Sequence, residues 1–217
     1  MIVAIDGPAA SGKGTLARRL AGHFGFAHLD TGKLYRATAL HALASGGDPG
    51  NAAVAEAGAR KVRAADLGDP RLLEEDVAQA ASVVAAIPAV RQALIAFQRD
   101  FAHHPPAGAG AVLDGRDIGT VICPDADAKF FVTASLDARA RRRFKELRGC
   151  GGNAIYERVL QDMKNRDARD SERRTAPLVP ADDAFVIDTT ALDADAVFAL
   201  ALDHLGRVRA AKAPPRR

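Results

Sequence analysis

The sequence predicts an α/β domain, a five-stranded parallel sheet flanked by helices. Three observations predict it. Five short apolar runs, at residues 2–6, 26–29, 111–114, 128–132 and 184–188, alternate with segments of helical periodicity. Runs this short and this continuously apolar fit strands buried on both faces, as a parallel sheet requires. Three of them end in a carboxylate, Asp6, Asp114 and Asp188, and Asp30 directly follows a fourth. Open sheets of this kind bind ligands beyond the carboxyl ends of their strands.

The first strand runs into a glycine-rich turn. A helix follows from about Lys13, with Leu16, Leu20 and Phe24 at i, i+4 and i+8. The second strand is closed by Asp30-Thr31-Gly32, after which Leu34, Ala37, Leu40 and Ala44 share one helical face. Residues 46–51 form a loop by composition. From about 74 to 103 the pattern is helical again. Val77, Ala81 and Val84 make one face, and Val90, Leu94, Phe97 and Phe101 the next. Pro88 between them lacks a backbone donor and should break or restart the helix. Residues 104–110 are another loop. Helices at about 136–148, 153–174 and 191–207 separate or follow the remaining strands, and the tail 211–217 is expected to fray.

With 217 residues the chain is long enough for one compact domain carrying a small inserted or mobile part. Its 48% hydrophobic and 26% charged residues are globular proportions, which excludes disorder. No apolar run approaches the roughly 18–20 residues of a membrane span. The N-terminus has no basic stretch or cleavage pattern and reads as a strand, not a signal peptide. Cys123 and Cys150 offer neither a disulfide framework nor a metal-ligand spacing, so a reducing cytoplasm is the expected compartment. A net charge of +3 is too mild to announce nucleic acid. Residues 139–174, however, hold 12 Lys/Arg against 6 Asp/Glu. A basic segment on a slightly acidic body implies a local anionic ligand.

Gly7-Pro8-Ala9-Ala10-Ser11-Gly12-Lys13 follows a strand and opens a helix, the context in which a phosphate-binding P-loop occurs. Glycines let backbone N–H groups turn toward phosphates, and the helix N-terminus adds partial positive charge. Lys13 is placed to reach the β- and γ-phosphates. The general pattern has Ser or Thr directly after the lysine; here Gly14 stands there and Thr15 follows. Gly-Lys-Gly-Thr is the form found in nucleoside monophosphate kinases. The expectation is a P-loop NTPase fold with ATP at residues 7–15.

Asp114 ends a strand where enzymes of this kind place an acid for Mg²⁺ or its waters. Arg116 and Asp117 follow on a loop at the ligand edge; an ordinary turn with a surface ion pair is the alternative. Arg36 lies in the first turns of a helix, where a solvated arginine is equally compatible with the pattern. Arg166, Arg169, Asp170 and Arg173 fall at i, i+3, i+4 and i+7 and share a helical face. Three guanidinium groups on one stripe repel each other unless an anion or internal Asp–Arg pairs intervene. Of Arg139, Arg141, Arg142 and Arg143, at least two must point away from any shared site.

Several segments together resemble bacterial cytidylate kinase. They are Asp6-Gly7-Pro8 with the P-loop, residues 30–36 (DTGKLYR), Ala80-Ala81-Ser82 with Pro88 and Arg91, residues 114–120 (DGRDIGT), and residues 166–170 (RDARD) continuing through Arg173 to Ala176-Pro177-Leu178. They span nearly the whole chain, in family order. The resemblance implies a CMP or dCMP kinase using ATP and Mg²⁺. ATP would lie on Gly7, Pro8, Ala9, Ala10, Ser11, Gly12, Lys13, Gly14 and Thr15. Thr31 joins the acceptor set; Arg36 and Arg116 clamp the acceptor phosphate; Ser82, Arg91 and Asp117 read the pyrimidine edge. Arg166 and Asp170 contact the ribose, and Arg173 reaches the transferring phosphate. Lys13, Arg173, Arg116 and Asp114 form the catalytic set. Mg²⁺ is held through the ATP phosphates, with Asp114 and Thr15 as candidates through water.

The same resemblance implies an acceptor-binding part at 46–104 and a lid at 145–165, with Gly149, Gly151 and Gly152 as hinges and the 139–148 region as the lid's start. Members commonly carry a small antiparallel hairpin after the second helix. Residues 46–75 are rich in Ala, Gly and Asp without alternation, so that hairpin is expected to be reduced or absent. A monomer without nucleic-acid or membrane partners completes the expectation. Two other readings stand beside it. One is a P-loop kinase for another acceptor such as UMP, AMP or shikimate. The other is an RNA-binding protein with a vestigial nucleotide site, which would need aromatic stacking residues among its basic ones. Only Phe144 and Tyr156 lie there.

Overall fold

Strands β1 (Ile2–Asp6), β2 (Ala27–Asp30), β3 (Ala111–Gly115), β4 (Ala128–Thr133) and β5 (Phe185–Asp188) pair in parallel, in the order β2-β3-β1-β4-β5. The structure is a computed structural model and describes residues 1–149, 153–173 and 175–212. Eight helices among these residues cover the sheet: α1 (Lys13–Phe24), α2 (Thr31–Ala44), α3 (Ala52–Lys61), α4 (Glu75–Val84), α5 (Pro88–His103), α6 (Leu136–Gly149), α7 (Tyr156–Ser171) and α8 (Ala194–Lys212). Alternation along β1 divides the core. Val3 and Ile5 join Leu16, Leu20, Phe130 and Leu205 in the cluster beneath α1 and α8. Ala4 points the other way, into the cluster of Leu34, Val84, Leu94 and Leu113 beneath α2 to α5. Both faces of β1 and β3 are therefore almost wholly buried, which is why these two strands read as apolar runs closed by an acid.

Pro88 starts α5 as its first residue, after Ile87 in extended conformation, so its missing donor costs no hydrogen bond. Helix α2 departs from the one-face expectation. Leu34 and Ala37 are buried, but so are Tyr35, Thr38, Ala39 and Ala42, while Ala44 is exposed. The helix is packed between β3 and the helices α3 and α4, and two contact surfaces bury a wider arc than one stripe.

Residues 46–75 hold no strand. Asn51 caps α3 by accepting from the Ala53 and Val54 N–H groups at 3.0 and 3.3 Å. Two 3₁₀ turns follow, Ala64–Gly68 and Pro70–Leu73. The alanine-rich stretch that shows no alternation is a helix, laid against α2. Gly58 permits the approach, since a Cβ there would stand 2.8 Å from the Thr38 carbonyl oxygen.

Helices α6 and α7 pack through Ala140, Val159 and Met163, with Ala9 and Ala10 of the P-loop against the same cluster. Arg139 is buried between them. It donates to both oxygens of Asp167, at 3.1 and 2.7 Å, and to the Ala134 carbonyl at 2.9 Å. Gly149 is the last residue of α6. The expected hinges Gly151 and Gly152 lie outside the described residues, as do Cys150 and the tail beyond Lys212. Helix α8 runs five residues past its expected end at 207. No single helix among the described residues is long and apolar enough to cross a membrane.

Candidate active site

The carboxyl ends of β1, β2 and β3 open into one cleft with a cavity of about 300 Å³. Residues 9–15 of the P-loop line it. Gly7 and Pro8 do not; they make the turn that lets the loop form. Gly7 has φ 152°, and a Cβ on it would lie 2.0 Å from the Val132 carbonyl oxygen, so no larger residue fits. Ala10 and Gly12 also take left-handed conformations, at φ 56° and 93°. A succession of this kind curls the backbone into an anion-binding concavity in front of α1. A Cβ at Gly14 would stand 3.6 Å from Asp114 Oδ2. The position that carries Ser or Thr in the general motif therefore faces the strand-end carboxylate.

Every residue expected on the acceptor side lines the same cleft: Thr31, Arg36, Ser82, Arg91, Arg116, Asp117, Arg166, Asp170 and Arg173. Thr31 begins α2, and its hydroxyl donates to the Asp114 carbonyl at 2.9 Å, which ties β2 to β3. Arg36 donates to the Leu72 carbonyl at 2.7 Å. Arg91 and Asp117, 26 residues apart, form a buried ion pair through Arg91 Nη2. Arg91 Nη1 donates to the Ala85 carbonyl at 3.1 Å, and its guanidinium lies 5.4 Å from the Tyr35 ring centroid. Asp170 Oδ2 accepts from Arg116 Nε at 2.9 Å. Arg173 lies beyond the end of α7 at Ser171, and its Nε donates to the Asp170 carbonyl at 3.2 Å.

Arg169 does not share this face. It is exposed and lies outside the cleft lining, because three residues of helical rotation carry it past the stripe of Arg166 and Asp170. The arginines of α6 diverge as helical geometry demands. Arg141 pairs outward with Asp137 at 2.8 Å, and Arg142 donates to Thr189 Oγ1 at 2.9 Å. Arg143 lines the cleft and reaches Glu75 of α4 at 2.5 Å.

Eight cationic side chains line the cleft against five acidic ones. Burial pushes Lys13 down to about 8, helped by the charge of Arg116. Arg166 is lowered to about 10 by burial and then by Arg116. Arg36 and Arg173 are lowered too, in both cases mainly by burial. Burial works against the Asp170 carboxylate, but the neighbouring Arg116, Arg166 and Arg173 outweigh it and hold its pKa down. Cations crowded this way gain from an anion between them. Ser11 Oγ, Ser82 Oγ, Arg166 Nε and Arg173 Nη2 are all buried with no hydrogen-bond partner among the described residues. Each belongs to the cleft lining, so a ligand rich in acceptors satisfies the orphaned donors. No three His, Cys, Asp or Glu side chains among the described residues cluster as a metal cage.

Two residues were not legible as site residues. His28 Nε2 and Asp114 Oδ1 share a hydrogen at 2.7 Å, which leaves Oδ2 on the P-loop side. A lone histidine in a short strand carries no signal of this. Asp6 is legible only as a strand-end acid; it is buried and bonded to the backbone of Ile118 and Gly119. The fourth strand-end acid, Asp188, is exposed and accepts from Thr190.

The family model described as cytidylate kinase matches residues 3–207. The chain is 58% identical over 208 residues to a cytidylate kinase of Paramagnetospirillum magneticum, covering 96% of this chain and 99% of that one. It is 61% identical over 202 residues to a cytidylate kinase of Methylocella silvestris, covering 93% and 92%. Among solved structures, an uncharacterized protein from Eubacterium ventriosum superposes with a TM-score of 0.54 at 16% identity, over 95% of this chain and 98% of that one. That likeness is one of fold.

Proposed function

The chain belongs to the cytidylate kinase family, and from that premise we propose that the cleft transfers the γ-phosphoryl group of ATP to CMP or dCMP, giving ADP and CDP or dCDP. The observation that carries the reading is the meeting, in one cation-rich cleft, of the P-loop with Arg91, Asp117, Arg36 of α2, Arg116 just after β3, and Arg166 and Arg173 in and beyond α7.

The acceptor phosphate is already a nucleophile at neutral pH, so the site needs no strong general base. Its task is to hold two anionic groups together and keep water away. Residues 9–15 hold the ATP phosphates, and Lys13 neutralises charge on the transferred group. Arg36 and Arg116 hold the acceptor phosphate; Arg173 reaches the transferring one. Asp170 keeps Arg116 oriented while it and Arg166 meet the ribose. Thr15 and Asp114 Oδ2 are suited to a Mg²⁺ ion or its waters, and His28 fixes which Asp114 oxygen is free. Mg²⁺ arriving with ATP supplies charge neutralisation at the phosphate oxygens.

Base choice follows from donor and acceptor patterns. Arg91 offers only donors, matching N3 and O2 of cytosine, and Asp117 offers only acceptors, matching its N4 amino group. Uracil reverses the pattern at N3 and position 4. Their ion pair presents both groups side by side. In the same reading residues 46–104, with α3 in place of a hairpin, are the acceptor-binding part. Residues 145–165 at the α6–α7 corner are the lid, and the enzyme works as a cytoplasmic monomer. An ADP-release assay over all nucleoside monophosphates and their deoxy forms, at fixed ATP-Mg, tests the reading. Turnover of UMP equal to that of CMP overturns the base assignment, and light scattering tests the monomer.

A further inference from the structure

Asp6 ends β1, one residue before the P-loop, and is 4% exposed. Its two oxygens accept separate backbone N–H bonds, Oδ1 from Ile118 at 2.8 Å and Oδ2 from Gly119 at 2.7 Å. Those N–H groups open a single wide turn, Ile118–Ile122, and follow directly on Arg116 and Asp117. Since β1 and β3 run in register with Asp6 opposite Gly115, the carboxylate reaches sideways past the end of β3 into the loop. The loop closes tightly over it. A Cβ on Gly119 would stand 3.1 Å from Lys129 Cδ and 3.4 Å from Asp6 Oδ2. Two successive peptide N–H groups held by one buried carboxylate fix both the position and the tilt of the chain there. Burial pushes the Asp6 carboxyl up to about 7 against the pull of these two N–H groups, so the bonds reach their full charge-assisted strength above that pH.

Asp6 does not line the cleft, whereas Arg116 and Asp117, which its bonds anchor, do. The P-loop takes its shape from other contacts: Gly7 lies against Val132, and Ser11 O accepts from Thr189 Oγ1 at 2.9 Å. We propose that Asp6 is a positioning residue for the acceptor half of the site. By pinning the Ile118 and Gly119 N–H groups it sets where Arg116 and Asp117 stand, and so governs recognition of the acceptor base without touching either substrate. The inference rests on the assignment of Asp117 and Arg91 as the base-reading pair.

Asp6→Asn keeps the volume but turns an amide N–H₂ toward one of the two donors. The expected result is a rise of about tenfold in the KM for CMP and a comparable fall in the CMP/UMP ratio of kcat/KM. The KM for ATP stays within about twofold, because the P-loop contacts are untouched. Gly119→Ala, whose Cβ presses the same loop away from the intact carboxylate, should show the same split. Wild-type enzyme is the control. If it does not prefer CMP, the base-reading assignment has failed. If it does, and a folded variant keeps its CMP KM and its CMP/UMP ratio, Asp6 serves only the fold and the inference is overturned. Failure of both variants to fold overturns it equally.

Discussion

One side of the cleft is built by a single stretch of nine residues, 7–15, whose backbone conformation makes the site and whose residues 9–15 line it; the other is nine side chains drawn from five separate segments. In the P-loop the decisive features are Gly7 against the Val132 carbonyl and the left-handed Ala10 and Gly12. Only Lys13 contributes a cation there. On the acceptor side none of the cleft-lining residues takes a left-handed conformation, and in the proposed reading the work falls to the side chains of Thr31, Arg36, Ser82, Arg91, Arg116, Asp117, Arg166, Asp170 and Arg173. A backbone cradle binds what every nucleoside triphosphate shares. A constellation of side chains can select one base, and each member is replaceable by a single mutation. Sensitivity to mutation should therefore be concentrated at one lysine on the first side and distributed on the second.

The largest expected effect tests the concentrated side. Lys13→Ala should lower kcat by about 10²–10³, as loss of a preorganised cationic contact does, with the melting temperature not lowered, since the variant also sheds the cost of burying a cation. Near-normal turnover in a folded variant would break the comparison, since the backbone alone would then suffice.

Asp117→Asn tests the selective side. The amide can donate to the uracil carbonyl, so the CMP/UMP ratio of kcat/KM should narrow by about 10- to 100-fold, one to two mismatched groups' worth. An unchanged ratio would place base selection elsewhere. Rates with both nucleotides, on wild type and variant, decide it.

The titration of Lys13 separates the two parts by pH. Burial brings its pKa from 10.5 to about 8 in the folded protein. Above about pH 8 it loses its proton, so kcat/KM for ATP should fall by about tenfold per pH unit. Between about 8 and 10.5 the unfolded chain holds this proton and the folded one does not, so the Lys13 contribution to stability rises with pH. Activity falling while thermal stability gains, relative to Lys13→Ala over the same range, is the expected signature. A flat ATP profile to pH 9.5 would contradict it.

The smallest effect sharpens the acceptor side. Asp170→Asn with Arg166→Ala removes the assigned ribose contacts and also weakens the bond that Arg116 donates to residue 170, by taking away its charge. Both substrates should weaken, and CMP by about two- to tenfold more than dCMP, the range of one lost hydrogen bond. Equal losses would leave Asp170 as a partner of Arg116 alone. Binding of the two nucleotides by calorimetry measures the difference.

Much of this was legible in the residues. The five runs appear as five strands with ends shifted by at most a residue or so, and Pro88 starts a helix. The absence of alternation in 46–75 led to the expectation of a reduced or absent hairpin, and no strand lies there; the alanine-rich helix α3 was not read. Local signals fail where packing decides. The burial of α2 exceeds one stripe because the helix lies between the sheet and two helices. Arg169 carries the same chemistry as Arg166 three residues away and faces solvent.

The sequence by itself determined the strand–loop–helix of the P-loop, the parallel sheet and the set of residues that match the family, because these rest on short-range periodicity and on motifs. Only the tertiary structure decided the pairings. Arg91 meets Asp117, Arg116 meets Asp170, His28 holds Asp114, Arg139 locks Asp167, and Asp6 holds the Ile118–Gly119 backbone. Each joins segments between 26 and 113 residues apart. A side chain's partner at such separations is fixed by which strand lies beside which, and no local pattern carries that order.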